Sequence, residues 1–586
     1  MRTPTCLESL LPAGEGQDEG RFLRCLALTP TLSRREREKN DTHYLATGSV
    51  IHAGLRWFAR KFLICRPDHP ATMEPCSVLP LEFGQNLLMT NRNRPTRLGI
   101  FLLIGLLISP AGRAASIGGN LPDLGDESAA VLSPQDERRI GEDFMRQARA
   151  QLDLLDDPEL NEYLQDLGRR LTAGADRLPE FHFFLVNNPA INAFAVPGGF
   201  IGVHTGLLLA ARSEAELAAV LAHETAHITQ RHIPRMIAEN RRISGPALAA
   251  ILAGILIAAS GQPGGEAAIL LTTAGMAQNE INFTRAFEQE ADRIGMNILN
   301  NAGYDARAMP GFFEQMEQLT RLYENNLPEF LRSHPVTGRR IAESRNHAES
   351  FPVRSNPDTS PFAHMQARLR VLGNKPEEAL KLFRAKLENR EAPHQAADQY
   401  GYSLALFINK RHEEARRETA LLLKARTDYV PYHILRAEIE LAAGNKPAGL
   451  KVYADAGRQF PASLALVERH ASALLKSGQP AQAQQLLDKA VRQRPREPAL
   501  YKLLASAAGE SGKRMEAHRA YGEYYFLTGQ PRAAIEQFEL AIRFANSNFY
   551  YVSSLEARIK EIRETLPPAP AAKQTERERQ SPPDRK

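Results

Sequence analysis

Along residues 133–171 apolar side chains recur at helical spacing, with Leu160, Tyr163, Leu164 and Leu167 sharing one face. Ser133 followed by Pro134 is a helix start: an N-cap, then proline in the first turn. Residues 181–186 (FHFFLV) read as a short strand and Asn187-Asn188-Pro189 as a turn. Residues 191–208 predict two more short strands around a tight turn at Pro197-Gly198-Gly199. The first, over 192–196, offers an edge to which an extended peptide can pair. Ser213-Glu214-Ala215-Glu216 is a capping box. It opens a helix buried through Leu217, Val220, Leu221 and Ile228, which Pro234 is expected to stop.

Residues 244–280 break the alternation. Residues 247–259 are apolar on every side, 261–265 form a turn, and 267–277 are apolar again. Each arm is shorter than the roughly 20 residues that cross a bilayer. The stretch reads either as a buried helical hairpin or as a lid or membrane-facing hairpin, with peripheral membrane contact through 247–277.

From about residue 360 the pattern becomes periodic. Gly444, Gly478 and Gly512 recur at 34-residue steps, each followed by a polar, alanine-containing helix start. A 34-residue helix-turn-helix period predicts tetratricopeptide hairpins stacked into a solenoid. Gly529 follows Gly512 by only 17 residues, which predicts half-repeat slippage in the last hairpins. Such a solenoid either recognises a partner or packs structurally on the first half of the chain.

The N-terminal stretch differs in composition. All four cysteines (Cys6, Cys25, Cys65, Cys76) and Trp57, the single tryptophan, lie in the first 76 residues. After Met89 come Arg92, Arg94 and Arg97, an apolar run over 98–108, and small residues ending at Ala114. These are the three parts of a secretory signal. Residues 89–114 are therefore read as a signal peptide, and 1–88 as an over-extended start; the rival is a real extension with an internal anchor. Residues 566–586, rich in proline and charge, are expected to be disordered. Charged residues are 24% of the chain and the net charge is only +5, without a basic stripe interleaved with aromatics, so nucleic acid is not the expected partner.

The chemistry sits at LAHETAHIT, which holds His223, Glu224 and His227 in the spacing H-E-x-x-H. Histidines four apart share a helix face, so both imidazoles reach one metal. Glu224 is rotated about 100° from His223, where it meets the attacking water as general base. A third ligand is required. FEQEADRIG, residues 287–295, offers Glu288 as ligand and Asp292 as a residue that orients a ligand histidine, with Glu290 on another face as a surface residue; a solvated charged face is the rival reading. Ser333-His334-Pro335 reads as a helix start. His182, His204 and His232 have no comparable partners and read as structural or surface residues.

HETAH, followed by EQEAD and preceded by NAFAVPGGFIGVHTGLL, resembles the zinc-peptidase family of HtpX and the type 1 CAAX prenyl proteases, over about residues 125–350. Lacking several long apolar spans, the chain is most similar to the secreted, BepA-like branch. The resemblance implies one Zn2+ per chain on His223, His227 and Glu288, with Glu224 as base. It also implies that His334 can approach the zinc as a regulatory fourth ligand. The expected fold is mainly α: a zincin-type α+β metalloprotease domain of active-site helices and a small sheet (115–350), then an α-solenoid of tetratricopeptide repeats (351–565). The implied function is a periplasmic endopeptidase that degrades misfolded or stalled outer-membrane proteins and supports their assembly with the assembly machinery. The alternative is a chaperone or scaffold with a latent protease.

Overall fold

The computed structural model describes residues 131–173, 180–239, 245–260, 278–322, 329–355, 360–388, 394–545 and 548–566. Residues 1–88, the expected signal 89–114, the apolar arm 267–277 and the tail 567–586 lie outside the described residues.

Helices α1 (Pro134–Gln151) and α2 (Pro158–Thr172) begin as expected, capped by Ser133 and Asp157 with proline in the first turn. The apolar face of α2 is fully used: Leu160, Leu164 and Leu167 are buried in the main core. Three strands follow: β1 (His182–Val186), β2 (Ala193–Val196) and β3 (Phe200–His204). Their order is β1-β3-β2, with β1 parallel and β2 antiparallel to β3, so β2 is an edge. The β2–β3 turn needs Gly198 and Gly199, whose φ values are +87° and +95°.

A short helix α3 (Thr205–Ala210) leads to α4 (Glu214–Thr229), the helix of the H-E-x-x-H sequence. Ser213 Oγ accepts from the Glu216 amide at 3.2 Å, while the Glu216 carboxylate reaches back to the Arg212 amide, one residue beyond the Ser213 amide of a full capping box. Glu214 is buried and held by Tyr163, Tyr304 and Arg170, which fixes where α4 starts. Its end differs from expectation. The helix stops at Thr229, and Arg231 turns the chain with φ +51°. Pro234 instead lies in the first turn of α5 (His232–Glu239), where its missing N–H has no intrahelical partner to lose.

Helix α6 (Gly245–Ala259) is the first apolar arm. Leu256 and Ala259 bury against Phe144, Phe194 and Val196, so this arm has a core-facing side. Among the described residues, no helix is long and apolar enough to cross a membrane. Helix α7 (Gln278–Asn301) packs along α4. The approach is close at Gly295, where a Cβ would lie 3.1 Å from both the amide nitrogen and the Cα of His223. Helices α8 (Ala308–Leu322), α9 (Glu329–Ser333) and α10 (Gly338–Ala348) complete this part, with Phe312, Phe313 and Phe330 in the core.

Antiparallel helical hairpins begin at α11 (Ser360–Leu372) and α12 (Pro376–Glu388). They continue through α13 (Gln395–Ile408), α14 (His412–Ala425), α15 (Val430–Ala442), α16 (Lys446–Gln459), α17 (Leu464–Lys476), α18 (Pro480–Gln493), α19 (Pro498–Glu510), α20 (Arg514–Leu527), α21 (Pro531–Arg543) and α22 (Phe549–Thr565). Gly444, Gly478 and Gly512 take positive φ inside hairpins, whereas Gly529 turns α20 directly into α21. That is the expected slippage. Helix α20 closes one hairpin and packs as the first helix of the next, and Gly522 leaves the space that Phe538 fills.

The solenoid clasps the first part through charge. Arg368 on α11 makes a two-pronged ion pair with Asp157, the N-cap of α2, and also reaches Glu159. Arg469 on α17 meets Asp157 from a second repeat. Glu162 receives the Ser463 hydroxyl and the Leu464 amide, so an α2 carboxylate caps α17. At least part of the solenoid surface therefore packs on the first half of the chain.

Candidate metal centre

The first ligand pair follows from helix geometry alone. His223 and His227 stand one turn apart on α4 with their Nε2 atoms 3.1 Å from each other. Glu288, on α7, comes 3.6 Å from His223 Nε2 and 3.5 Å from His227 Nε2. The segment between α9 and α10 brings His334, whose Nδ1 lies 2.9 Å from Glu288 and 3.4 Å from His223 Nε2. One donor atom from each of the four falls within 4.8 Å of all the others.

This set fits a metal. Bonds of about 2.0–2.1 Å in a tetrahedron place ligand atoms about 3.3 Å apart, and most of the observed separations cluster there. The electrostatics agree. Burial would raise Glu288, but His334 and His223 beside it hold its carboxyl well below the usual range. Burial and the neighbouring His223 push His227 far down, which keeps a lone pair free. Burial opposes a proton on His223, yet hydrogen bonds to Asp292 and Glu288 raise it to about 10, so a cation is favoured at this spot. Glu224 faces the same cluster. It is buried, and its Oε1 lies 3.4 Å from His334 Nε2. Burial raises its pKa, as suits a proton acceptor.

The surroundings are ordered. Asp292 Oδ1 lies 3.0 Å from His223 Nδ1, close enough to orient that ring. Arg340 is buried; it pairs with both Asp292 oxygens and with Glu288, and donates to the Pro335 carbonyl. Two further residues depart from the sequence reading. Glu290 is half-buried and pairs with Arg235 and His232, because α5 folds back over that face of α7. His232 is buried and touches His227, Nδ1 to Nδ1, at 2.8 Å. His182 and His204 stand apart from the cluster: His182 stacks on Phe200, and His204 is buried beside Phe194.

Residues 157–348 match peptidase family M48. The beta-barrel assembly-enhancing protease of Yersinia pestis is 34% identical over 420 residues, which are 71% of this chain and 86% of that protein. Its namesake in Escherichia coli (strain K12) is 32% identical over 446 residues, 76% of this chain and 91% of that one. The mitochondrial metalloendopeptidase OMA1 of Arabidopsis thaliana is 36% identical over 151 residues, 26% of this chain and 28% of that protein.

This chain belongs to peptidase family M48.

As an M48 member it is a metalloprotease, and the four-donor cluster lies on elements inside the matched span. The likeness to the assembly-enhancing proteases continues well beyond that span. The structure brings His223, Glu224, His227, Glu288 and Asp292 together; the H-E-x-x-H spacing points to the first three, whereas residues 287–295 read equally as a solvated face until the family resemblance is added. Arg340 and His232 were not found. Arg340 sits beside an exposed Arg339, and no period separates the two. His232 reaches the site through the left-handed turn at Arg231, a residue type that gives no such signal.

Proposed function

We propose that this M48 protease is a zinc endopeptidase of the periplasm that cleaves misfolded or stalled outer-membrane proteins. The observation that carries the reading is the convergence of His223, His227, Glu288 and His334 within 4.8 Å beside the buried carboxylate of Glu224. Nitrogen and oxygen donors in a near-tetrahedral set favour Zn2+, one per chain. The client class is supported by the name of the relatives, and the compartment by the export signature over residues 89–114. The division into a protease domain (115–350) and a repeat domain (351–565) belongs to the same reading.

When bound, zinc supplies Lewis acidity that polarises the scissile carbonyl and acidifies water. His223, His227 and Glu288 hold it, and Asp292 fixes the His223 ring. Glu224 Oε1 takes the proton of the attacking water and returns it to the leaving amine. The edge strand β2, which packs against α4, aligns an extended substrate across the site. The test is Glu224→Gln. Cleavage of an unfolded outer-membrane protein should vanish while zinc content is unchanged; retained cleavage refutes the assignment.

A second reading, an assembly chaperone with a latent protease, is favoured by one observation. His334 touches Glu288 with Nδ1 and Glu224 with Nε2, so it blocks the fourth metal position and the base together. Under this reading His334→Ala raises cleavage, and Glu224→Gln leaves assembly support intact.

A further inference from the structure

His223 and His227 are held differently. The Nδ1 of His223 faces the carboxylate of Asp292, whereas the Nδ1 of His227 faces another imidazole, that of His232. His232 is the first residue of α5, and the left-handed turn at Arg231 (φ +51°) folds it back onto the helix it follows. Its ring stands nearly perpendicular to that of His227, at 83°, with centroids 4.8 Å apart. The ring is 4% exposed and stacks on Phe287 at 4.4 Å, the residue before Glu288. On the far side Nε2 lies 3.4 Å from Glu290 Oε2, and the same oxygen takes a 2.9 Å hydrogen bond from Arg235.

We propose that His232 is a positioning residue for the metal site: it accepts the Nδ1 proton of His227 and fixes that ring's tautomer and orientation, with Phe287 and Glu290 fixing His232 in turn. The proton placement follows from the contacts. A metal on His227 Nε2 requires that lone pair, so the ring proton must sit on Nδ1. At 2.8 Å the neighbouring Nδ1 can then only accept. His232 must carry its own proton on Nε2, and that nitrogen faces Glu290. Donation on the histidine side therefore runs outward from the metal position, from His227 to His232 and on toward Glu290, which also accepts from Arg235. Groups that hydrogen-bond a ligand imidazole in this way raise its basicity and lock its rotation.

The inference rests on the metal reading above, and the experiment separates the two. Zinc affinity is measured by chelator competition, and the visible spectrum is recorded after Co2+ substitution, for the full chain and for H223A, H232F, H232N and E290A. Thermal melting of the metal-free proteins checks folding. H232F keeps the ring stack but has no acceptor; zinc binding should weaken about 10–100-fold and the Co2+ bands should shift. H232N can offer an amide oxygen near the Nδ1 position and should recover most of the affinity and the spectrum. E290A removes only the outer partner and should cost several-fold; it carries the test if H232F does not fold. Wild-type affinity and spectrum in H232F, or equal losses in H232F and H232N, overturn the inference alone. Failure of the wild-type chain to bind zinc more tightly than H223A overturns the metal reading and the inference with it.

Discussion

Asp292 Oδ1 lies 3.0 Å from His223 Nδ1, and both side chains are buried. A helix α7 carboxylate thereby sets which His223 nitrogen is free to face the metal position. The contact depends on the close crossing of α4 and α7 that Gly295 permits. Asp292→Ala should leave His223 free to rotate and lower metal affinity about 10–100-fold. Chelator competition reads this directly. An unchanged affinity would mean that packing alone orients the ring.

Arg340 ties the same carboxylates to the segment that carries His334. It pairs with both Asp292 oxygens and with Glu288, and it donates to the Pro335 carbonyl. Arg340→Ala leaves two buried carboxylates without their cation. In metal-free protein we expect a loss of about 3–5 kcal/mol, measured by urea denaturation. Arg340→Lys keeps the charge but not the fork, and should fall between the two. If added zinc fully restores Arg340→Ala, the guanidinium serves only to balance charge in the empty site.

What the sequence revealed of this site, and what it hid, follows from the range of the contacts. His223 and His227 are legible because a helix turn guarantees their meeting. Glu288 and Asp292 are legible only with the family resemblance, because a four-residue acidic spacing equally describes a solvated helix face. Glu290 was misread because its partners, Arg235 and His232, come from another helix that one left-handed residue folds back. The fold shows the same split. Glycine spacing marked the hairpins, down to the early turn at Gly529. Asp157 and Glu159 stand at a helix start, where acidic residues are common and carry no signal of a distant partner. Their partner Arg368 is more than 200 positions away, and no local pattern encodes such a pairing.

That distant pairing is also a prediction about how the two halves stay together. Arg368 is buried, forks onto Asp157, and hydrogen-bonds Tyr400 within its own repeat. Arg368→Ala removes one partner of a buried pair and should destabilise the seam by about 3–5 kcal/mol. The loss should be local, since the solenoid has its own cores between successive helices. Hydrogen exchange should rise in α2 and α11 while α19 to α21 stay protected. Uniform exchange across the chain would show instead that the seam and the repeats unfold as one unit.

Another carboxylate near the seam shifts in the direction opposite to Asp157. Glu468 on α17 is pushed up to about 8, first by burial and then by Asp156, Glu497 and Glu162 around it; Arg469 opposes this only in part. In the unfolded chain an ordinary glutamate titrates near 4.3. Between these values the folded state holds a proton that the unfolded state has lost. The contribution of this group therefore falls as pH rises through that window, and below the window its penalty disappears. Glu468→Gln mimics the protonated form at every pH. It should be more stable than wild type at pH 9, on the order of 1–3 kcal/mol, and should match wild type near pH 4. Paired urea titrations across that range test the slope. A stability difference that does not change with pH would remove Glu468 as the titrating group, because a packing effect of the amide has no reason to fade on acidification.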